Sequence, residues 1–84
     1  MKEIVFSFHA LDRMGRRGAS EEEVVQAIRE GQSETARRGR RLYRLSFMYN
    51  EAWAGEHYTI KQVAPVVAEE ADRIVVVTVY TCFF

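Results

Sequence analysis

Two histidines and ten arginines give this 84-residue chain its means for moving protons and holding anions. His9, Arg13 and Arg16 form the most suggestive set. On a helix, where successive residues turn by about 100°, these three lie within about 60° of one another, opposite Ala10, Leu11 and Met14, and Arg17 flanks them. They set a titratable imidazole beside a row of fixed positive charges that could hold a phosphate diester. The competing reading of the same spacing is a solvated helix face whose arginines are screened by Asp12.

Further along, Lys61, Thr78 and Tyr80 are polar groups set in otherwise apolar, strand-like runs. Each has an ordinary explanation: a strand lysine guards an edge, and threonine and tyrosine favour strands, where their hydroxyls find local partners. They join His9 and Arg13 in one site only if the sheet face that carries them converges with the first helix. Other chemistries lack their residues. His9 and His57 are the only histidines, and no H-x-x-x-H, C-x-x-C or D-x-D spacing occurs, so neither a metal site nor a cofactor is expected. No serine lies in a nucleophile elbow, Cys82 sits in an apolar run that disfavours a reactive thiolate, and no glycine-rich phosphate loop is present.

The elements that must position these residues are marked by local signals. Ser7 is a suitable cap for a helix from Phe8 to about Arg17, which Gly18 ends. Ser20 and Glu23 form an S-x-x-E capping box for a second helix closed by Gly31, with Glu21 and Glu22 at the positive end of its dipole. Only Gly18 and Ala19 separate the helices, so they must turn sharply and pack as a pair on something larger. That partner is a sheet. Lys2 to Phe6 is a short β-prone run, and Gln32 to Arg38 is a weak strand followed by a turn at Gly39 and Arg40. Arg41 to Tyr49 alternates, with Tyr43, Leu45, Phe47 and Tyr49 on one face. A loop is expected around Asn50 to Glu56, then a strand from His57 to about Val63 that Pro65 should bend or end. Ile74 to Cys82 is apolar on both faces and reads as a central strand covered on both sides.

The expected fold is therefore α+β: a single domain over 1–84, in the order β-α-α-β-β-β-β, with two N-terminal helices packed on one face of an antiparallel sheet of about four strands. Its expected core is Ala10, Leu11, Met14, Val24, Ile28, Tyr43, Leu45, Phe47, Val75 and Val77.

With 48% hydrophobic and 29% charged residues, 84 positions can close one core but not two. A formal net charge of zero argues against a general nucleic-acid binder of the strongly basic kind. The distribution says more: residues 1–44 hold ten Lys/Arg against seven Asp/Glu (+3), and residues 45–84 hold two against five (−3). The lone Cys82 allows no internal disulfide, which suits a reducing cytoplasm. The start has no secretory pattern, and the longest apolar run, Ile74 to Val77, is far too short to span a bilayer. A cytoplasmic location and no membrane contact are expected.

The stretch His9-Ala10-Leu11-Asp12-Arg13-Met14-Gly15-Arg16-Arg17-Gly18, together with the closing Val75-Val76-Val77-Thr78-Val79-Tyr80, resembles a widespread prokaryotic domain-of-unknown-function family with an H-A-x-x-R-M-x-x-R-G start and a V-x-T-x-Y end. Members of that family look like distant relatives of the barnase/colicin/RelE-like ribonuclease toxins. The resemblance implies a polar cluster of His9, Arg13 and Arg16 with Thr78 and Tyr80. In its middle, at His57 to Lys61 and Pro65, the chain departs from the family's pattern.

Two functions remain open from the residues. One is a metal-independent, toxin-type ribonuclease in which His9, Arg13 and Tyr80 are catalytic, with Arg16, Arg17, Lys61 and Thr78 binding RNA. The other is a non-catalytic module for protein or nucleic acid that uses the same helix face for recognition. The partners expected are RNA, a cognate antitoxin-like protein, and a second copy of the chain in a homodimer. Trp53, in its expected loop, and the apolar Phe83-Phe84 pair are the contacts proposed for self-association.

Overall fold

The computed structural model describes residues 2–84 as β1 (Glu3–Phe6), α1 (Phe8–Arg17), α2 (Glu21–Glu30), β2 (Gln32–Thr35), β3 (Arg41–Trp53), β4 (Glu56–Glu69) and β5 (Arg73–Phe83). The class is α+β and the element order is the expected one. The sheet has five strands rather than about four, ordered β1-β5-β4-β3-β2, and it is mixed rather than antiparallel throughout. β1 runs parallel to β5, from Glu3 opposite Arg73 to Phe6 opposite Val76, while the other ladders are antiparallel. A parallel neighbour requires a crossover connection, and here everything between β1 and β5 forms it. The β-prone pattern at Lys2 to Phe6 can announce a strand but not a partner at the far end of the chain.

Both helices begin and end where their local chemistry dictates. The Ser7 hydroxyl accepts from the Ala10 amide at 3.0 Å and donates to the Val77 carbonyl at 3.2 Å, so one side chain caps α1 and ties it to β5. Gly18 ends α1 in the left-handed region (φ 73°), and a Cβ there would come within 2.8 Å of the Trp53 ring. Both arms of the α2 capping box are made: Ser20 Oγ accepts from the Glu23 amide at 3.1 Å and Glu23 Oε1 from the Ser20 amide at 2.9 Å. At Gly31 a side chain would collide with the carbonyls of Ala27 and Arg44, each 2.5 Å from the Cβ position. Only glycine lets the end of α2 approach β3 this closely.

α1 lies on β5, and α2 on β3 and β4. Between helices and sheet, Ala10, Met14, Val24, Ile28, Val63, Val67, Val76 and Val79 form the buried core, with Tyr43 and Phe47 packed against it. Four expected core members stand elsewhere. Leu11 is 41% exposed, and Leu45, Val75 and Val77 are only partly buried and lie outside the core cluster. On β5 the inward residues are Val76 and Val79, three apart rather than two, because the register with β4 slips there: Val66 pairs with Thr78 but Val67 with Val76. Val77 is the extra residue, a bulge that reverses which side chains face the helices. The second face of β5 is not covered as its apolar composition suggested. Helices lie on one side of the sheet, and Tyr80 stands 52% exposed on the other.

The expected loop from Asn50 to Glu56 is instead strand on both sides of a two-residue turn. Ala54 and Gly55 have φ of 51° and 88°, the positive pair that joins right-twisted strands tightly. Nor does Pro65 end its strand. β4 continues through it to Glu69, and the proline's missing donor shows as a gap in the β3–β4 ladder, which pairs Leu42 with Val66 and resumes at Leu45 with Val63. The expected strand over Gln32 to Arg38 stops at Thr35, and a single 3-10 turn, Arg37–Gly39, leads into β3.

Candidate nucleic-acid interface

The first turn of α1 carries His9 in solvent, and the row behind it is partly neutralised. Asp12 Oδ2 lies 3.4 Å from Arg13 Nη1 and 3.0 Å from Arg16 Nε, so the screening considered for this face is present. These groups are substantially exposed, and such pairs contribute at most about 1 kcal/mol each. A phosphate can therefore displace Asp12 at small cost.

Arg17 behaves differently from its neighbours. It lies one turn beyond Arg13, nearest to the buried side of α1, and Nη1 donates to the Val79 carbonyl at 2.8 Å. Beyond Val76, β1 no longer pairs with β5, so this carbonyl belongs to an edge that α1 flanks. From there the guanidinium reaches round the edge and sits 4.9 Å from the centre of the Tyr80 ring. The structure thus joins Arg17 to Tyr80 and, on the same exposed sheet face, to Thr78. His9 and Arg13 remain on α1 and do not border the groove beside Tyr80.

Lys61 is 7% exposed and lies beneath the helices. Its ammonium donates to the Gly18 carbonyl at 2.9 Å, meets the Glu23 carboxylate at 2.7 Å and stands 5.1 Å from the centre of the Tyr49 ring. Thr81 Oγ1 donates to the neighbouring Arg17 carbonyl at 2.8 Å. Side chains of β4 and β5 thereby satisfy the carbonyls at the α1–α2 turn. The lysine read as an RNA ligand is held in the interior as a clamp. Trp53 stacks on Phe83, with ring centres 5.2 Å apart, and Tyr49 and Tyr58 complete the cluster, while Phe84 stays 63% exposed. Two of the three aromatics proposed for self-association thus pack within the chain.

On the exposed sheet face the structure also reveals a groove of about 310 Å³ that sequence reasoning missed. Arg37 and Arg40 stand on one side and Tyr80 on the other. The signal was legible as four arginines in the five positions 37–41, but there it was read only as strand and turn. Among the described residues no group of His, Cys, Asp and Glu clusters as metal ligands, and no helix is long and apolar enough to cross a membrane.

A family model described as a domain of unknown function, DUF4258, matches residues 6–81. No curated protein and no solved structure matches the chain.

Proposed function

The chain belongs to the DUF4258 family, and from that premise we propose that it binds RNA along α1 and round the β5 edge to Tyr80. The observation that carries this reading is the position of Arg17, bonded to the Val79 carbonyl and set over the Tyr80 ring. It makes one surface of two motifs that lie 62 residues apart in sequence. Arg13, Arg16 and Arg17 supply phosphate contacts, Tyr80 offers a ring to an unstacked base, and Thr78 offers a hydroxyl beside it. Lys61 takes no part, since its donors are spent inside the fold. A cytoplasmic location fits such a ligand, and an antitoxin-like protein would compete for the same cations.

A second reading, metal-independent cleavage, is favoured by the exposure of His9 one turn before Arg13. Cleavage requires a base for the 2′-hydroxyl, an acid for the leaving 5′ oxygen and cations around the crowded phosphorus. His9 would take the 2′-hydroxyl proton and, as the imidazolium, return it to the leaving 5′ oxygen, with Arg13 and Arg16 holding the phosphate.

The test is binding and cleavage of a labelled mixed-sequence RNA, without metal, at two salt concentrations. Arg17→Ala should weaken binding and lower the salt slope by about one. His9→Ala should leave binding intact. Cleavage by the wild type that His9→Ala abolishes establishes the second reading, and a wild type that leaves RNA unbound at low salt ends both.

A further inference from the structure

We infer that the groove beneath the Arg37–Gly39 turn is a subsite for a single nucleotide unit, its phosphate held by Arg37 and Arg40 and its base laid against Tyr80. The inference rests on the RNA reading only for the strand to which that nucleotide belongs.

The floor of the groove is a cross-strand row on the exposed face, Leu42 opposite Val66 and Val66 opposite Thr78. Arg37, Arg40 and Tyr80 rise around it, and no acidic residue lines it. Arg13, Arg16, Arg44 and Arg73 each have a carboxylate within ion-pair distance, whereas among the described residues Arg37 and Arg40, like Arg17, Arg29, Arg38 and Arg41, have none. What sets Arg37 and Arg40 apart is that both line one groove. Two uncompensated guanidiniums beside an apolar floor call for an anion with an apolar or flat body.

The backbone holds the pair in place. The Ala36 amide donates to the Arg40 carbonyl at 2.7 Å and the Arg40 amide to the Arg37 carbonyl at 3.2 Å. Between them Arg38 adopts φ 62°, a left-handed conformation unfavourable for a residue that carries a Cβ. That cost is met at the turn that brings Arg37 and Arg40 to one groove.

Guanidinium forks match phosphate oxygens two at a time, the hydroxyls of Thr78 and Tyr80 can bond ribose or base edges, and an aromatic ring accepts any base by stacking. Arg17, already over the Tyr80 ring, extends the same stack. A volume of about 310 Å³ accommodates one nucleotide and excludes a duplex.

The experiment follows backbone amide shifts of the isotopically labelled, intact chain during titration with adenosine monophosphate, adenosine, inorganic phosphate and a short single-stranded RNA. Adenosine monophosphate should move the amides of Leu42, Val66, Thr78 and Tyr80, and bind at least tenfold more tightly than phosphate or adenosine alone. The double variant Arg37→Gln/Arg40→Gln should lose at least tenfold in that affinity. Tyr80→Leu should weaken the mononucleotide while sparing inorganic phosphate. Shifts confined to α1 with every probe, or a double variant that binds like the wild type, overturn the inference. So does equal occupancy of the groove by an acidic peptide, which would make the surface a protein site. RNA that binds without moving the groove amides sinks the subsite and leaves the RNA reading standing. Mononucleotide in the groove with no affinity for RNA supports the subsite as a free-nucleotide site and ends the RNA reading.

Discussion

Replacing Lys61 with methionine tests the sharpest separation between structural and ligand-binding cations. Lys61 is 7% exposed and makes two charge-assisted contacts, to the Gly18 carbonyl and the Glu23 carboxylate. Such bonds are worth about 1.5–3 kcal/mol each, and breaking a fully buried ion pair costs about 3–5 kcal/mol. Two features lower the figure here: Glu23 is 22% exposed, and its Oε1 keeps the Ser20 amide. Methionine also removes the ammonium's desolvation cost and fills most of the volume. The expected net loss is about 2–3 kcal/mol, or about 10–20 °C in Tm for a domain of this size. Thermal and urea unfolding followed by circular dichroism measure it. Adding Glu23→Gln should recover part of the loss, because the stranded carboxylate is then neutral. A Lys61→Met protein as stable as the wild type, but impaired in RNA binding, would refute the clamp and return Lys61 to the binding surface.

Gly18→Ala should cost about 2 kcal/mol, since alanine pays for the left-handed backbone and its methyl meets the Trp53 ring; a shift in tryptophan emission should accompany the loss, and unchanged emission would show that Trp53 does not cover the turn. Burial, and then the Glu69 carboxylate that accepts from its hydroxyl, hold the Tyr43 phenol above its ordinary pKa of 10.0. The folded chain therefore keeps this proton more tightly than the unfolded one, so the contribution is full below pH 10.0 and disappears as pH climbs through the raised value. Tyr43→Phe should flatten the alkaline loss of stability, and an unaltered pH profile of urea unfolding would contradict it.

What could be read from the residues alone was whatever is decided within one turn of chain. Ser7, Gly18, the Ser20/Glu23 box and Gly31 bound the helices where their side-chain chemistry requires, and Tyr43 and Phe47 face the helices as their alternation implied. What could not be read depended on distant partners. A single bulge at Val77 turned Val76 and Val79 inward where alternation pointed to Val75 and Val77. The site followed the same division. The helical spacing of His9, Arg13 and Arg16 was accessible. The diversion of Lys61 into the interior was not, nor was the placement of Arg37 and Arg40 across a groove from Tyr80, because each depends on sheet register.

The pairing of the first strand with the last has a kinetic consequence. Ser7 meets Val77, and Arg17 meets Val79 and Thr81, across separations of 70, 62 and 64 residues. Closing such a loop costs about 4 kcal/mol in chain entropy, beyond a constant term, before any of these contacts repays it. During synthesis α1 emerges with Ala10 and Met14 facing water, because it has no strand to lie on until Arg73–Phe83 has left the ribosome, whereas α2 has β3 and β4 to cover before then. β1 and α1 therefore close last although they are made first, and a chain arrested before β5 keeps the apolar face of α1 uncovered and prone to aggregate.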